Sequence, residues 1–149
     1  MVRRLCAARD KRALASGMKR IRVVAGIVER AGQVLCACRG PSQDQAGLWE
    51  FPGGKVEPGE DDATALVREL REELGIEVGV GQHVKTALWS DGQRWIELVG
   101  YRCILVDGEP TPREHAEIRW VEPGVLQSLD WAPADLPIVA VVSERAACT

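Results

Sequence analysis

Asp61-Asp62-Ala63-Thr64-Ala65-Leu66-Val67-Arg68-Glu69-Leu70-Arg71-Glu72-Glu73-Leu74-Gly75 carries apolar residues at positions 63, 66, 67, 70 and 74. Those intervals draw one apolar stripe along an α-helix and leave the charges elsewhere on its surface. Asp61 reads as the N-cap and Gly75 as the C-terminal stop. With Ala63 at zero and about 100° per residue, Glu72, Glu69 and Glu73 fall near 180°, 240° and 280°, on an arc away from the stripe. Partly desolvated, two such carboxylates about 5 Å apart repel by roughly 3 kcal/mol at an effective dielectric near 20. The arc then needs a cation or must take up protons. On a fully solvated helix the same charges cost only a few tenths of a kcal/mol and carry no message.

Upstream, Pro52-Gly53-Gly54-Lys55-Val56-Glu57-Pro58-Gly59 is too rich in Gly and Pro for regular structure and is expected to form an irregular loop that lets something approach the backbone. Before it, Ile21 to Val28 and Val34 to Cys38 are β-rich and joined by Arg30-Ala31-Gly32-Gln33, a hairpin pattern. Pro41 to Gly47 is polar and reads as a surface loop ahead of Trp49-Glu50-Phe51. Downstream, Ile76 to Trp89, Trp95 to Val106 and Ile118 to Val121 read as strands, and a last helix starts near Asp135 with Pro137 in its first turn. Strands on both sides of a helix predict a layered α/β domain.

The 149 residues, 46% of them hydrophobic, are enough for one core, and no apolar run reaches the roughly 20 residues of a membrane-spanning helix. The net charge of −3 is uneven: residues 1 to 22 carry +7 and the rest −10. An acidic body is a poor platform for polyphosphate or nucleic acid, so an anionic substrate needs local cations or a metal. Residues 1–17 are Arg-rich with no apolar segment of the signal-peptide kind, and are expected to be a disordered extension preceding a domain over 18–149, with Met18 an alternative start. Cys6, Cys36, Cys38, Cys103 and Cys148 lack zinc-site spacing and read as reduced thilols of a cytoplasmic protein.

Spacing gives the carboxylates their meaning. Gly54, five residues, Glu60, seven residues and then Arg68-Glu69-Leu70-Arg71-Glu72-Glu73-Leu74-Gly75-Ile76 fills every fixed position of the Nudix signature, and the chain is identified by it as resembling that family. Gln45-Ala46-Gly47-Leu48-Trp49-Glu50-Phe51 and Pro133-Ala134-Asp135-Leu136-Pro137 resemble the MutT branch, and within it the bacterial CTP pyrophosphohydrolases. The fold this implies is a mixed β-sheet sandwiched between α-helices.

By that resemblance Glu69, Glu72 and Glu73 bind Mg2+, or Mn2+, with the Gly53 carbonyl; Arg68 orients Glu69, and Glu60 braces the loop. Glu114 matches a distant carboxylate that serves as metal ligand or general base, against the alternative of a surface glutamate. Arg39, Lys55 and Arg94 are expected to offset phosphate charge, and Glu50 and Phe51 to line the nucleotide cleft. Trp95 and Trp131 read as core, His83 and His115 as surface histidines. Asp135 is either a helix N-cap or, as an ionised acceptor, the reader of the cytosine amino group.

The implied activity is hydrolysis of CTP, dCTP or a 5-substituted cytidine triphosphate to the monophosphate and pyrophosphate. The rivals are an 8-oxo-dGTP diphosphatase and a non-catalytic module that senses a nucleotide or binds a partner. A small-molecule nucleotide is the expected partner, with no membrane and a monomer or homodimer as the assembly; nucleic acid is not expected, its one opening being the basic N-terminus. The proline and tyrosine that mark ADP-ribose and diadenosine polyphosphate enzymes are absent where Asp91-Gly92-Gln93-Arg94 stands.

Overall fold

A computed structural model describes residues 18–147, with side chains described through Glu144. The expectations for residues 1–17, Cys6 and Cys148 lie outside them. Strand β1 (Lys19–Arg30) turns into β2 (Gln33–Cys38) with Arg30 facing Gln33, and Ala31 (φ 51°) and Gly32 (φ 78°) form the turn. Two successive positive φ angles are what the right-handed twist of a two-residue hairpin requires. After β3 (Trp49–Glu50) and β4 (Gly53–Lys55) come helix α1 (Asp62–Leu74), the long hairpin β5 (Glu77–Ser90) and β6 (Arg94–Asp107), β7 (Glu117–Val121) and α2 (Leu136–Ala147).

The sheet is mixed, in the order β3-β2-β1-β6-β5, with β4 on β1 and β7 on β2. Its only parallel seam among the described residues joins β1 to β6, from Lys19 opposite Arg94 to Glu29 opposite Ile104. β1 is buried on both faces, which explains its unbroken run Val23-Val24-Ala25-Gly26-Ile27-Val28. Val24 and Val28 join Leu66, Leu70 and Leu74 of α1, while Ala25 and Ile27 join Ile138, Val139 and Val142 of α2. Period-two alternation thus supplies one core to each helix layer.

Helix α1 starts and stops where expected. The Asp61 carboxylate accepts the Thr64 N–H at 2.7 Å, and Gly75 (φ 70°) closes the end in the left-handed conformation. Within the stripe one position differs: Ala63 is exposed and Ala65 is buried, and Asp62 rather than Ala63 faces the sheet, where it accepts from Arg22 at 2.6 and 2.7 Å and from the Tyr101 hydroxyl. The Gly-rich stretch also differs from an irregular loop, since Gly53, Gly54 and Lys55 pair with Ala25, Val24 and Val23. Strand propensity is poor there, but pairing on β1 overrides it. A side chain at Gly53 would collide with the Val24 carbonyl, so only glycine brings this backbone close enough. Cys36 and Cys103 are buried free thiols whose titration burial pushes up to about 12, and Cys38 is a half-buried one. No helix among the described residues is long and apolar enough to cross a membrane.

Candidate functional site

Arg68 organises the turn that carries the glutamates. Its Nε and Nη2 donate to Glu60 at 2.7 and 2.9 Å, its Nη1 donates to Glu69 at 3.0 Å, and Nη2 also reaches the Lys55 carbonyl at 3.1 Å. Glu60 in turn accepts the Glu57 N–H at 3.0 Å, which ties the loop to the helix. The Arg68 guanidinium and that N–H hold the Glu60 carboxyl down at about 2. Glu69 lies against Gly54, where a Cβ would strike its carboxylate.

Glu73 has the opposite environment. Burial, followed by the charges of Glu69, Glu50, Glu114 and Glu72, pushes its carboxyl up to about 8. Its Oε2 is buried without a hydrogen-bond partner among the described residues. Glu69 is raised as well, chiefly by burial and against the pull of Arg68. Crowded carboxylates with an orphaned buried oxygen fit a hard divalent cation, which takes oxygen ligands. The described side chains do not form a preassembled three-ligand group. Glu72 is exposed, as is Glu114, whose charge nevertheless reaches Glu73.

Next to this turn opens a cleft of about 520 Å3, within the range of small-molecule sites. It gathers all six residues expected to contact substrate, Arg39, Glu50, Phe51, Lys55, Arg94 and Asp135, together with Gly53. Two of the cations already have partners. Arg39 Nε lies 2.8 Å from Glu50 Oε1, without hydrogen-bond alignment and therefore as an ion pair, and Arg94 Nε sits 3.2 Å from Asp91. Lys55 is exposed at the rim and makes no ion pair among the described residues.

Asp135 is buried, 3% exposed, and its Oδ1 accepts the Phe51 N–H at 3.0 Å. The N-cap reading is corrected: the carboxyl points across the fold to β3's end, and the Pro133–Asp135 turn is closed by a backbone hydrogen bond with no side-chain cap. Burial, with a smaller contribution from Glu50, pushes it up to about 8 against the Phe51 hydrogen bond and Arg39. That upward shift favours the neutral acid over the ionised acceptor expected from the sequence.

His83 is exposed as expected, but His115 is not a surface residue. Its side chain is fully buried, with Nε2 donating to Glu50 Oε2 at 2.8 Å. Sequence reasoning also missed Trp89, Ile96 and Leu98 in the cleft. Their signal was present in the β5–β6 alternation, where Trp89 faces Ile96 and Leu98 faces Val23 on β1. Trp95 and Trp131 are core; Trp131 donates to the Leu126 carbonyl at 2.7 Å and leans on Phe51 with ring centroids 4.7 Å apart.

The NUDIX domain family matches residues 18–142. The CTP pyrophosphohydrolase of Escherichia coli (strain K12) is 47% identical over 131 residues, 87% of this chain and 97% of that protein. A putative 8-oxo-dGTP diphosphatase 2 of Mycobacterium tuberculosis is 44% identical over 116 residues, 76% of this chain and 81% of that one. The solution structure of the E. coli ORF135 protein superposes with a TM-score of 0.78 at 44% identity, covering 89% of this chain and 95% of that one.

Proposed function

The chain belongs to the NUDIX family, and from that premise we propose that it is a Mg2+-dependent nucleoside triphosphate pyrophosphohydrolase acting on CTP, dCTP or 5-substituted cytidine triphosphates. The observation that carries the base-reading part is the buried Asp135 carboxyl, held by Phe51 in a cleft that adjoins the glutamate turn. A neutral carboxyl offers a donor beside an acceptor, the complement of the N3 and N4 edge of cytosine. The 47% identity to a CTP pyrophosphohydrolase along nearly its whole length supports the pyrimidine.

In this reading Glu69, Glu72 and Glu73 would hold the metal, with the Gly53 carbonyl and Glu114 as further oxygen donors. When bound, Mg2+, or Mn2+ in its place, neutralises phosphate oxygens and lowers the pKa of a coordinated water. Arg68 fixes Glu69 in place, Glu60 anchors Arg68 and the loop, and Lys55 offsets charge on the leaving group. Glu69 or Glu114 would take the proton from the water that attacks phosphorus, and as the bridging P–O bond breaks its electron pair goes to the departing phosphate or pyrophosphate group, leaving the monophosphate and pyrophosphate as products. The enzyme works on the cytoplasmic nucleotide pool, as a monomer or homodimer, without membrane or nucleic acid.

The neutral Asp135 also favours a second reading. The O6 and N7–H edge of 8-oxoguanine presents the same acceptor–donor pair, and one relative is named as a putative 8-oxo-dGTP diphosphatase. A panel of nucleoside triphosphates with Mg2+, scored for pyrophosphate release and ranked by kcat/KM, separates the readings. CTP, dCTP or a 5-substituted analogue should lead. An 8-oxo-dGTP rate about 10-fold ahead would transfer the assignment, and no turnover on any of them would leave a binding module.

A further inference from the structure

We propose that Arg113 and His115 are positioning residues that clasp the segment between them so that Glu114 is presented to the Glu73 end of the site. This rests on the reading of Glu114 as a metal ligand or general base. The segment is stitched to the fold on two sides. Toward α1, Thr111 N donates to the Leu74 carbonyl at 3.0 Å, and Arg113 Nη1 donates to the Glu72 carbonyl at 2.9 Å and the Arg71 carbonyl at 3.4 Å. These are the last carbonyls of the helix that carries the glutamates, so Arg113 also complements its negative end. Toward the sheet, His115 Nε2 donates to Glu50, and Ala116 N donates to the Cys38 carbonyl at 3.0 Å.

Between these anchors Glu114 is exposed and makes no side-chain hydrogen bond or ion pair among the described residues, while its neighbour Arg113 reaches the carbonyl of Glu72, the residue before Glu73. Its backbone is pressed onto β2's end, where a Cβ on Gly40 would come within 2.6 Å of the Glu114 carbonyl. Fixing the backbone on both sides while leaving one carboxylate unengaged preorganises that carboxylate for something that arrives later.

The test is a double-mutant cycle of Arg113→Ala with Glu114→Gln, with Mn2+ affinity of the nucleotide-free protein measured by paramagnetic resonance beside kcat and KM. Arg113 is chosen because it leaves Glu50 and the cleft untouched. Arg113→Ala should lower kcat and weaken Mn2+ binding by about 3- to 10-fold, with KM nearly constant. In the Glu114→Gln background the same change should matter by less than about 2-fold. His115→Gln, which keeps a donor for Glu50, should retain more activity and Mn2+ affinity than His115→Leu. Equal losses from Arg113→Ala with and without Glu114 would overturn the clasp. A Glu114→Gln variant with unchanged kcat and Mn2+ affinity would instead overturn the reading of Glu114 on which it rests.

Discussion

Asp135 accepts the backbone N–H of Phe51 at 3.0 Å across 84 residues of chain, locking the start of α2 to the strand that enters the glycine loop. An asparagine keeps that acceptor and places an N–H2 where a neutral acid carries its proton. Asp135→Asn should therefore stay within about 3-fold of wild-type kcat/KM on cytidine triphosphates at pH 7, whereas Asp135→Ala should lose about 10-fold or more. Relative to wild type, the Asn variant should gain as pH rises past about 8, where Asp135 ionises. A 10-fold loss in Asp135→Asn at pH 7 would mean that the carboxylate binds ionised.

Stability of the metal-free protein should fall as pH rises. Glu73 and Asp135 both have folded-state pKa values near 8, above their unfolded values, so between about pH 4.5 and 8 the folded state binds more protons than the unfolded one. Each group therefore penalises the fold progressively across that window, with the full penalty present above pH 8. Melting curves from pH 5 to 9 in a chelator should show a declining Tm, flattened in Glu73→Gln and in Asp135→Asn. Adding Mg2+ should raise Tm most at the alkaline end, because the cation offsets the charge on Glu73. A Tm independent of pH and of Mg2+ would contradict the crowded-carboxylate account.

Glu72→Gln and Glu73→Gln should each leave less than about a tenth of wild-type kcat/KM, a loss above about 1.4 kcal/mol, while the fold persists. Glu73→Gln should even melt higher than wild type above pH 8, since it removes a charge from a buried position. Retention of more than a tenth of the activity by either variant would remove it from the metal-binding set.

Adjacent glycines should fail in different ways. A methyl at Gly53 meets the Val24 backbone, so Gly53→Ala should cost stability, about 1–3 kcal/mol, by prying β4 from β1. At Gly54 the obstacle is the Glu69 carboxylate, a movable side chain that Arg68 holds at 3.0 Å. Gly54→Ala should keep most of its Tm and lose kcat. Equal Tm losses in the two variants would show that Gly54 serves the sheet rather than Glu69.

What the sequence disclosed follows from the range of each interaction. Helix α1 and its two caps are local in sequence, so periodicity located them, and the Arg68, Glu69 and Glu60 cluster, equally local, came from the family resemblance. Glu50, Phe51 and Asp135 were singled out by the family resemblance, and all three line one cleft. His115 was misplaced because its burial depends on Glu50, 65 residues away, and a polar Arg-Glu-His run gives no sign of that partner. Likewise the charge state of Asp135 is set by burial and by Phe51, neither visible in Pro-Ala-Asp-Leu-Pro. The β4 pairing escaped because glycine has low strand propensity, and its fit against β1 appears only once the two backbones meet.

The parallel seam between β1 and β6 has a consequence for how the chain is made. At the ribosome, at about 5–20 residues per second, β1 waits roughly 4–15 s for a partner about 75 residues downstream. During that interval Val23 to Val28 is a nascent apolar segment without its neighbour, the kind of segment that chaperones bind and that aggregates when they do not. Substitutions along the seam, such as at Gly26 or Gly100, where a Cβ would press within 3.2 and 3.1 Å of core side chains, should accordingly appear as low soluble yield at high growth temperature. Molecules that complete folding would retain ordinary turnover, so the defect would be one of biogenesis, relieved by slower synthesis or extra chaperone.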